Sequence, residues 1–241
     1  MPQTKGTLSN LQLGRDNMVV QSEPIQTISI DPKYLQAKRK LDIIFTLLVS
    51  PLVLLIGGLV AILIKLDSKG PVFFRQKRIG LNGVEFEMLK FRSMYVNSDD
   101  IEHRERIKQY MNGQKLNANG TSELAYKNVN DPRITRVGRF IRKTSLDELP
   151  QFWNVLQGQM SLVGPRPPLP FEVEEYTPHD WLRLSGKPGL TGTWQVYGRS
   201  RVTFQNMVEM DIEYLHEQSI WKDLKFILLT VPVMISGKGG A

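Results

Sequence analysis

LDIIFTLLVSPLVLLIGGLVAILIK, residues 41–65, is the stretch that decides how this chain can fold. From Ile43 to Ile64 it contains 22 consecutive uncharged, mostly apolar residues. A straight helix of that length measures about 33 Å, enough to cross a hydrocarbon core of roughly 30 Å. A buried core helix is the soluble alternative, but few soluble helices are apolar on every face over such a length. The run therefore predicts a membrane-inserted helix.

The flanks of this run argue against a simple crossing of the membrane. Basic residues lie on both sides of it, whereas positive charge collects on the cytoplasmic side of a spanning helix: Lys38, Arg39 and Lys40 before, and Lys65, Lys69, Arg75, Lys77 and Arg78 after. Ser50-Pro51 falls in the middle, where proline removes a backbone donor and the serine hydroxyl can satisfy the freed carbonyl. We therefore predict a re-entrant segment, helix-break-helix, over residues 36–66.

The composition of the whole chain narrows its chemistry. The 241 residues are 41% hydrophobic and 23% charged, which indicates a globular protein of one or two domains. A net charge of +7 favours anionic partners such as acidic lipids, phosphorylated substrates or nucleic acid. The absence of cysteine excludes disulfides and thiolate metal sites, and three scattered histidines make a histidine zinc site improbable.

The chain divides into a polar tail before the apolar run and a domain after it that is large enough to be an enzyme. Residues 1–35 are polar, without a clear period, and predict a mobile N-terminal tail. Residues 67–241 predict an α+β, mainly helical domain with a small β-hairpin that turns at Leu81-Asn82-Gly83. Further helices are predicted over DDIEHRERIKQYM, from about 203 to 217, and along the amphipathic run LKFILLTVPVMI, which is too short to span a membrane.

Two adjacent carboxylates, Asp147 and Glu148, raise the question of chemistry. Ser145 and Glu148 fit a capping box, so the pair can be read simply as the acidic first turn of a helix. Alternatively, one carboxylate can attack phosphorus while the other helps to hold Mg²⁺, with nearby arginines binding phosphate oxygens. Arg166, between two prolines 19 residues after Asp147, favours the second interpretation.

Several motifs together resemble the bacterial sugar transferase family, the monotopic polyprenol-phosphate phosphoglycosyl transferases. They are the apolar run with Ser50-Pro51, VFFRQKRIG, FEMLKFRSM, DPRITRVGRFIRKTSLDELPQFWNVLQGQMSLVGPRP and KPGLTGTWQVYGR. The resemblance covers about residues 36–241, and the ordered series is far more specific than any single motif.

This resemblance implies a reaction and a set of roles. Family members transfer a sugar 1-phosphate from a UDP-sugar to undecaprenyl phosphate, releasing UMP, as the first membrane step of exopolysaccharide, capsule or O-antigen assembly. By this analogy Asp147 is the nucleophile that forms a phosphosugar-aspartyl intermediate, and Glu148 is the Mg²⁺ partner. Phosphate-binding roles fall on Arg142, Arg166 and Arg199, with Lys90 and Arg92 near the same site.

The same resemblance places the protein in the bacterial inner membrane, with its catalytic domain on the cytoplasmic face and membrane lipid as a partner. A homo-oligomer is also allowed. The ending ISGKGGA hints at glucose or galactose as the sugar, and the polar segment 97–130 is longer than in the shortest members, so it is a lid, a partner surface or only a loop.

Two other classes of function compete with the enzyme. The first is a non-catalytic, membrane-anchored module that uses its basic face to bind lipid or a partner; the Asp147-Glu148 pair with Arg166 argues against it. The second is a nucleic-acid-binding protein. We expect no nucleic-acid partner, because aromatic residues are not interleaved with the basic ones and the apolar run would be left unexplained.

Overall fold

A long N-terminal helix lies along a mainly helical domain in the computed structural model of the protein, which describes residues 27–95, 101–113, 131–198 and 202–235. The α-helices and strands, in chain order, are α1 (Pro32–Asp67), β1 (Phe73–Ile79), β2 (Glu85–Phe91), α2 (Ile101–Met111), α3 (Arg136–Lys143), α4 (Gln151–Leu156), β3 (Ser161–Val163), α5 (Pro170–Val173), β4 (Gly189–Thr191), α6 (Phe204–Glu217) and α7 (Ile220–Ile235). The predicted fold class, helical with a small sheet and one long apolar helix, is confirmed.

Helix α1 starts earlier than predicted and is not interrupted. The Asp31 side chain caps it by accepting from the Lys33 backbone N–H at 2.8 Å, and Pro32 occupies the first turn, where its missing donor costs nothing. Its 36 residues correspond to about 54 Å. Ser50 Oγ donates to the Leu47 carbonyl at 2.8 Å, and this is the carbonyl that Pro51 leaves without an N–H partner. Because that carbonyl is satisfied, the helix continues through Pro51 in place of the predicted helical break.

The two faces of α1 differ completely. An inner stripe that includes Asp42, Thr46, Val60 and Ile64 is buried against the rest of the protein. The outer face consists of exposed, large apolar side chains: Ile44, Leu47, Leu48, Leu52, Leu54, Leu55, Leu59, Ile62, Leu63 and Leu66. Within the described ranges, α1 is the one helix long and apolar enough to cross a membrane, judged by length and composition. So large an exposed apolar surface indicates a face that meets lipid or another protein.

Both ends of α1 are bound to the same domain. Near its start, Lys38 Nζ forms a buried ion pair with Asp223 Oδ2 of α7 at 2.7 Å. At its end, the Asp67 carboxylate accepts from the Val137 N–H of α3 at 3.0 Å. The Arg92 guanidinium donates to the carbonyls of Ser68 and Lys69 at 2.8 and 3.0 Å.

The predicted hairpin is present with the predicted turn. Strands β1 and β2 pair antiparallel, from Phe73 opposite Phe91 to Ile79 opposite Glu85. Asn82 and Gly83 both take positive φ, 55° and 81°, as a tight turn requires, and a side chain at Gly83 would meet the ring of Trp181.

A second, parallel pair of strands joins distant parts of the chain and was not predicted. Strands β3 and β4 pair from Ser161 to Gly189 and from Val163 to Thr191. The loop between Val163 and the start of α5 carries Arg166, so this pair fixes where that loop leaves the core. Helices α2, α6 and α7 confirm the three helices predicted in the polar and C-terminal parts of the chain.

The buried ion pair between α1 and α7 generates a stability prediction. Asp223 is fully buried and accepts from Lys38, from Tyr34 at 2.9 Å and from Tyr214 at 2.6 Å. Asp223→Ala leaves the Lys38 ammonium buried without its counter-ion, so we expect a loss of about 3–5 kcal/mol. The measurement is the thermal unfolding midpoint in detergent, followed by tryptophan fluorescence.

The control is Glu217→Ala, which breaks the exposed Lys222–Glu217 pair at 2.9 Å and should leave the midpoint nearly unchanged. The double variant Lys38→Met/Asp223→Leu should recover much of the loss, because it removes both buried charges together. Equal midpoints for Asp223→Ala and Glu217→Ala would contradict a structural role for the buried pair.

Candidate active site

The two adjacent carboxylates stand in a short turn and not at the start of an α-helix. Leu146–Glu148 forms a 3₁₀ turn, called here the carboxylate turn, and α4 begins only after Pro150. Ser145, at φ 57°, makes no side-chain capping bond, so the predicted capping box is wrong. The physical reason is Pro150, which favours the position just before or at the first turn of a helix, so that α4 begins at Gln151, five residues later than the capping box predicts.

The elements around the carboxylate turn are fixed by close backbone contacts. Thr135 caps α3 by accepting from the Gly138 N–H at 2.9 Å, and any side chain at Gly138 would collide with the Ser93 carbonyl oxygen. On the other side, the buried Asn154 of α4 accepts from the Leu89 N–H at 3.0 Å and donates to the Glu87 carbonyl at 2.7 Å. These contacts hold α3 and α4 at set positions against β2.

An apolar cluster contains the sequence neighbours of the charged groups. Its buried members come from four elements: Val60 and Ile64 of α1, Phe91 of β2, Ile141 of α3 and Leu149 after the carboxylate turn. Each of the last three is the sequence neighbour of a predicted site residue, namely Lys90, Arg142 and Glu148. The sequence therefore brings Lys90, Arg142 and the carboxylates together by burying the residues beside them.

The electrostatic balance at Asp147 is the distinctive property of the site. Its side chain is only 6% exposed, and this burial raises its pKa to about 6. The Lys90 ammonium lowers the same pKa, the Glu148 carboxylate raises it, and Arg142 lowers it. The result is a poorly solvated carboxyl group that is still mostly ionised at neutral pH, as a nucleophile requires.

Glu148 is more open than Asp147 and is already in contact with a cation. Its Oε1 lies 3.2 Å from Lys90 Nζ, and its side chain is 37% exposed. No group of three or more His, Asp or Glu side chains suited to a metal occurs in the part of the chain that the structure describes. A cation here would thus have at most the two carboxylates, with oxygens of water or substrate completing its shell. That set suits Mg²⁺, which commonly uses one or two carboxylates plus phosphate oxygens.

Arg92 is placed differently from Lys90. It is buried, and besides the two carbonyls at the end of α1 its guanidinium binds Ser68 Oγ at 2.8 Å. These hydrogen bonds give it an anchoring role on α1, and a direct role with phosphate stays a prediction. Arg199 lies outside the described residues.

Arg166 belongs to a second group of charged residues. Its guanidinium lies over the Trp194 ring, 6.0 Å from the centroid, and its backbone carbonyl accepts from the buried Arg183 at 3.2 Å. Arg183 is ion-paired with Asp211 of α6. Arg78 supports the same loop by donating to the Pro167 carbonyl at 2.9 Å.

The predicted site residues did not include Arg183 or Asp211. A signal was nevertheless present, because Asp211 interrupts the apolar face of α6 formed by Met207, Val208, Ile212 and Leu215. A charged residue on such a face needs a buried partner.

Comparison with known proteins places this chain among sugar transferases. The model of the bacterial sugar transferase family matches residues 33–237. The galactosyl transferase CpsE of Streptococcus agalactiae serotype III (strain NEM316) is 47% identical over 211 residues, which are 86% of this chain and 44% of that protein. The UDP-glucose:undecaprenyl-phosphate glucose-1-phosphate transferase of Escherichia coli (strain K12) is 41% identical over 202 residues, 80% of this chain and 39% of that protein.

These two relatives are more than twice as long as the region they share with this chain. The exopolysaccharide production protein ExoY of Rhizobium meliloti (strain 1021) is matched almost from end to end: it is 38% identical over 222 residues, which cover 90% of this chain and 93% of that protein. With the family model matching most of its length, the chain belongs to the bacterial sugar transferase family.

Proposed function

We propose that this protein transfers a hexose 1-phosphate, glucose or galactose 1-phosphate, from a UDP-sugar to undecaprenyl phosphate and releases UMP. The observation that carries the proposal is the buried Asp147 carboxylate between Glu148, Lys90 and Arg142. The name of the Escherichia coli relative, a UDP-glucose:undecaprenyl-phosphate glucose-1-phosphate transferase, supports this donor and acceptor. The name of the Streptococcus agalactiae relative, a galactosyl transferase, supports a hexose, and that of the Rhizobium meliloti relative supports a place in exopolysaccharide production.

The proposed reaction has two displacements at one phosphorus atom. First, an Asp147 oxygen attacks the phosphorus that carries the sugar, the bond from this phosphorus to its bridging oxygen breaks, and UMP leaves. Second, a phosphate oxygen of undecaprenyl phosphate attacks the same phosphorus, and the acyl phosphate bond breaks. Asp147 thereby becomes a free carboxylate again, and neither displacement requires an oxidant, a reductant or a proton donor.

The surrounding cations have a defined task in this scheme. Lys90 and Arg142 help keep Asp147 ionised despite its burial, and they favour negative charge on the phosphoryl group near it. Glu148 would hold Mg²⁺, which would neutralise phosphate charge when bound. Phosphate binding by Arg166 and Arg199 remains part of the proposal, with Arg166 carried by a loop that two buried arginines support.

For the membrane we propose a re-entrant arrangement of α1 with the domain on the cytoplasmic face of the inner membrane. Both helix ends bind one domain, through Lys38 at the start and Asp67 at the end, which supports their lying on one side. The fully apolar outer face supports contact with lipid. Pro51, which leaves one turn without its backbone hydrogen bond, is the place where a bend would cost least.

The alternative function is the membrane-anchored interaction module. The exposed apolar face and the net charge of +7 would serve it equally well. An interaction module, however, has no use for a buried carboxyl group with a raised pKa, such as Asp147, next to a second carboxylate.

The covalent intermediate is directly testable. Purified protein mixed with Mg²⁺ and UDP-glucose or UDP-galactose, without acceptor, should gain the mass of one hexose phosphate in intact-protein mass spectrometry. Asp147→Asn should abolish this gain and turnover, because an amide is a far poorer nucleophile. Asp180→Asn, a control at a half-buried aspartate that binds Thr177, should keep both.

An adduct that persists in Asp147→Asn would refute the assigned nucleophile. If no donor gives an adduct or UMP, even after undecaprenyl phosphate is added, the interaction module is the better interpretation.

The position of Asp147 also predicts a pH dependence. The carboxylate must be ionised to attack, and its pKa is raised to about 6, so kcat/KM should fall as pH decreases through about 6.

Lys90→Met removes a cation that lowers the pKa of Asp147, so the acid limb of the pH profile should move to higher pH. Glu148→Gln removes an anion that raises it, so the limb should move to lower pH in the residual activity. Lys77→Met, at an exposed ion pair with Glu85, is the control and should leave the limb in place. Shifts in the same direction for Lys90→Met and Glu148→Gln would contradict this electrostatic account.

The re-entrant arrangement predicts a labelling pattern. Because the chain has no cysteine, Gln36→Cys, Leu55→Cys and Lys69→Cys each give a single reporter. A membrane-impermeant maleimide should reach positions 36 and 69 only from the cytoplasmic side, in inverted vesicles and not in intact spheroplasts. Position 55, on the outer apolar face, should label poorly in both. Labelling of 36 and 69 from opposite sides would establish a spanning helix.

A further inference from the structure

Two cations lie together beside Gly158, away from the carboxylate turn. A Cβ atom built on Gly158 would be 3.6 Å from Lys187 Nζ and 3.6 Å from both Cζ and Nη2 of Arg39. The two positive groups therefore border the same residue, at a place where the backbone takes a positive φ of 79° and carries no side chain between them.

The two cations differ in how they are held. Arg39 is rigidly placed, because its two Nη atoms donate to the Val155 and Leu156 carbonyls at the end of α4, each at 2.6 Å. Lys187 is half-buried and forms no hydrogen bond or ion pair with any residue in the described ranges. Burial and the Arg39 charge both lower the pKa of the Lys187 ammonium. Lys187 is thus a half-desolvated cation next to a second cation.

The nearby acid, Asp42, raises the pKa of Lys187, but its hydrogen bonds go to other residues. Asp42 of α1 is buried, and its Oδ1 already accepts from Ser161 Oγ and from the Leu162 N–H, both at 3.0 Å. Asp42 is needed to join α1 to β3, and it offers at most one negative charge to two cations. The pair is therefore suited to an added anion with several acceptor oxygens.

The location indicates what kind of anion this is. Arg39 precedes Ile44, where the continuous apolar outer face of α1 begins, by five residues, or about 7.5 Å of helix. Trp153, 55% exposed, lies on α4, whose end Arg39 binds. Basic residues and tryptophan next to an apolar segment are typical of the level where lipid headgroups lie.

This place is separate from the proposed reaction centre. Glu148 precedes α4, whereas Arg39 binds the carbonyls at the other end of α4, whose six residues correspond to about 9 Å. An anion beside Lys187 would not be at Asp147.

We propose that Lys187 and Arg39 bind the phosphate of an anionic membrane phospholipid, which attaches the N-terminal end of α1 and the end of α4 to the membrane surface. Lys187 Nζ donates to the phosphate oxygens, and Arg39, held by its two carbonyls, contributes charge. The site rests on the membrane placement of α1 given under Proposed function.

The test compares lipids that differ only in headgroup. Detergent-purified protein is titrated with phosphatidylglycerol or phosphatidylcholine of identical acyl chains, and the thermal midpoint and the retained lipids in native mass spectrometry are measured. We expect phosphatidylglycerol to raise the midpoint more. Lys187→Gln should weaken its apparent affinity about fivefold, the effect of one basic residue at an anionic surface. Lys187→Arg should keep the effect, and Lys225→Gln, at an exposed lysine of α7, is the control for lost charge.

Several outcomes would overturn the site. One is that phosphatidylglycerol raises the midpoints of Lys187→Gln and the unaltered protein equally. Another is that inorganic phosphate raises the midpoint as much as phosphatidylglycerol does. The third is that Lys187→Gln loses affinity only for undecaprenyl phosphate, which would make this an acceptor site. Lys187→Gln is compared only where its midpoint without lipid matches that of the unaltered protein; otherwise Lys187→Arg against Arg39→Lys decides. The adduct assay on the unaltered protein uses no phospholipid titration, so failure of the lipid site and failure of the proposed reaction are distinguishable.

Discussion

The apolar cluster beside the carboxylate turn is the contact on which the rest of the site depends. It joins the inner face of α1, through Val60 and Ile64, to Phe91, Ile141 and Leu149. Lys90, Arg142 and Glu148 each neighbour one of these last three residues, so burying the apolar residue sets the position of the charged one. Helix α1 is therefore part of the support of the site. Loss of packing along α1 would disturb all three charged positions at once.

Polar contacts, in turn, decide how α1 lies on the domain. A helix that is apolar on most of its surface could rotate or slide with little change in buried area, because hydrophobic contact is not directional. Lys38 and Asp42 remove that freedom, since each is buried and has specific partners on α7 and β3. Such groups are costly if they are left unpaired, so they favour one orientation over its neighbours.

The features that sequence could predict are those with local causes. The apolar run, the hairpin with Asn82-Gly83 and the helices at the C-terminus follow from composition and period, and the structure contains them. Ser50 was also read correctly, as the donor for the carbonyl that Pro51 frees. The carboxylate turn was misread as a helix start because Ser145 and Glu148 have the spacing of a capping box, while the effect of Pro150 was underestimated.

Long-range contacts were beyond such reasoning. Strands β3 and β4 have three residues each and pair across a wide sequence separation, so no local period marks them. Lys38 and Arg92 were read as a flanking charge and a phosphate ligand, and their burial against Asp223 and the end of α1 depends on the assembled fold. The order of motifs identified the family, but only the packing shows which arginines already have protein partners.

Burial of Asp147 has a chemical consequence beyond its pKa. Under the proposed mechanism an acyl phosphate on this residue must survive until a lipid acceptor arrives, and water competes as a nucleophile throughout that interval. A residue that is only 6% exposed, between Leu146 and Leu149 that pack into an apolar cluster shared with α1, admits little water. The same burial raises the pKa of the carboxyl group, and Lys90 and Arg142 lower it. Asp147 can thus be shielded from water and still ionised at neutral pH.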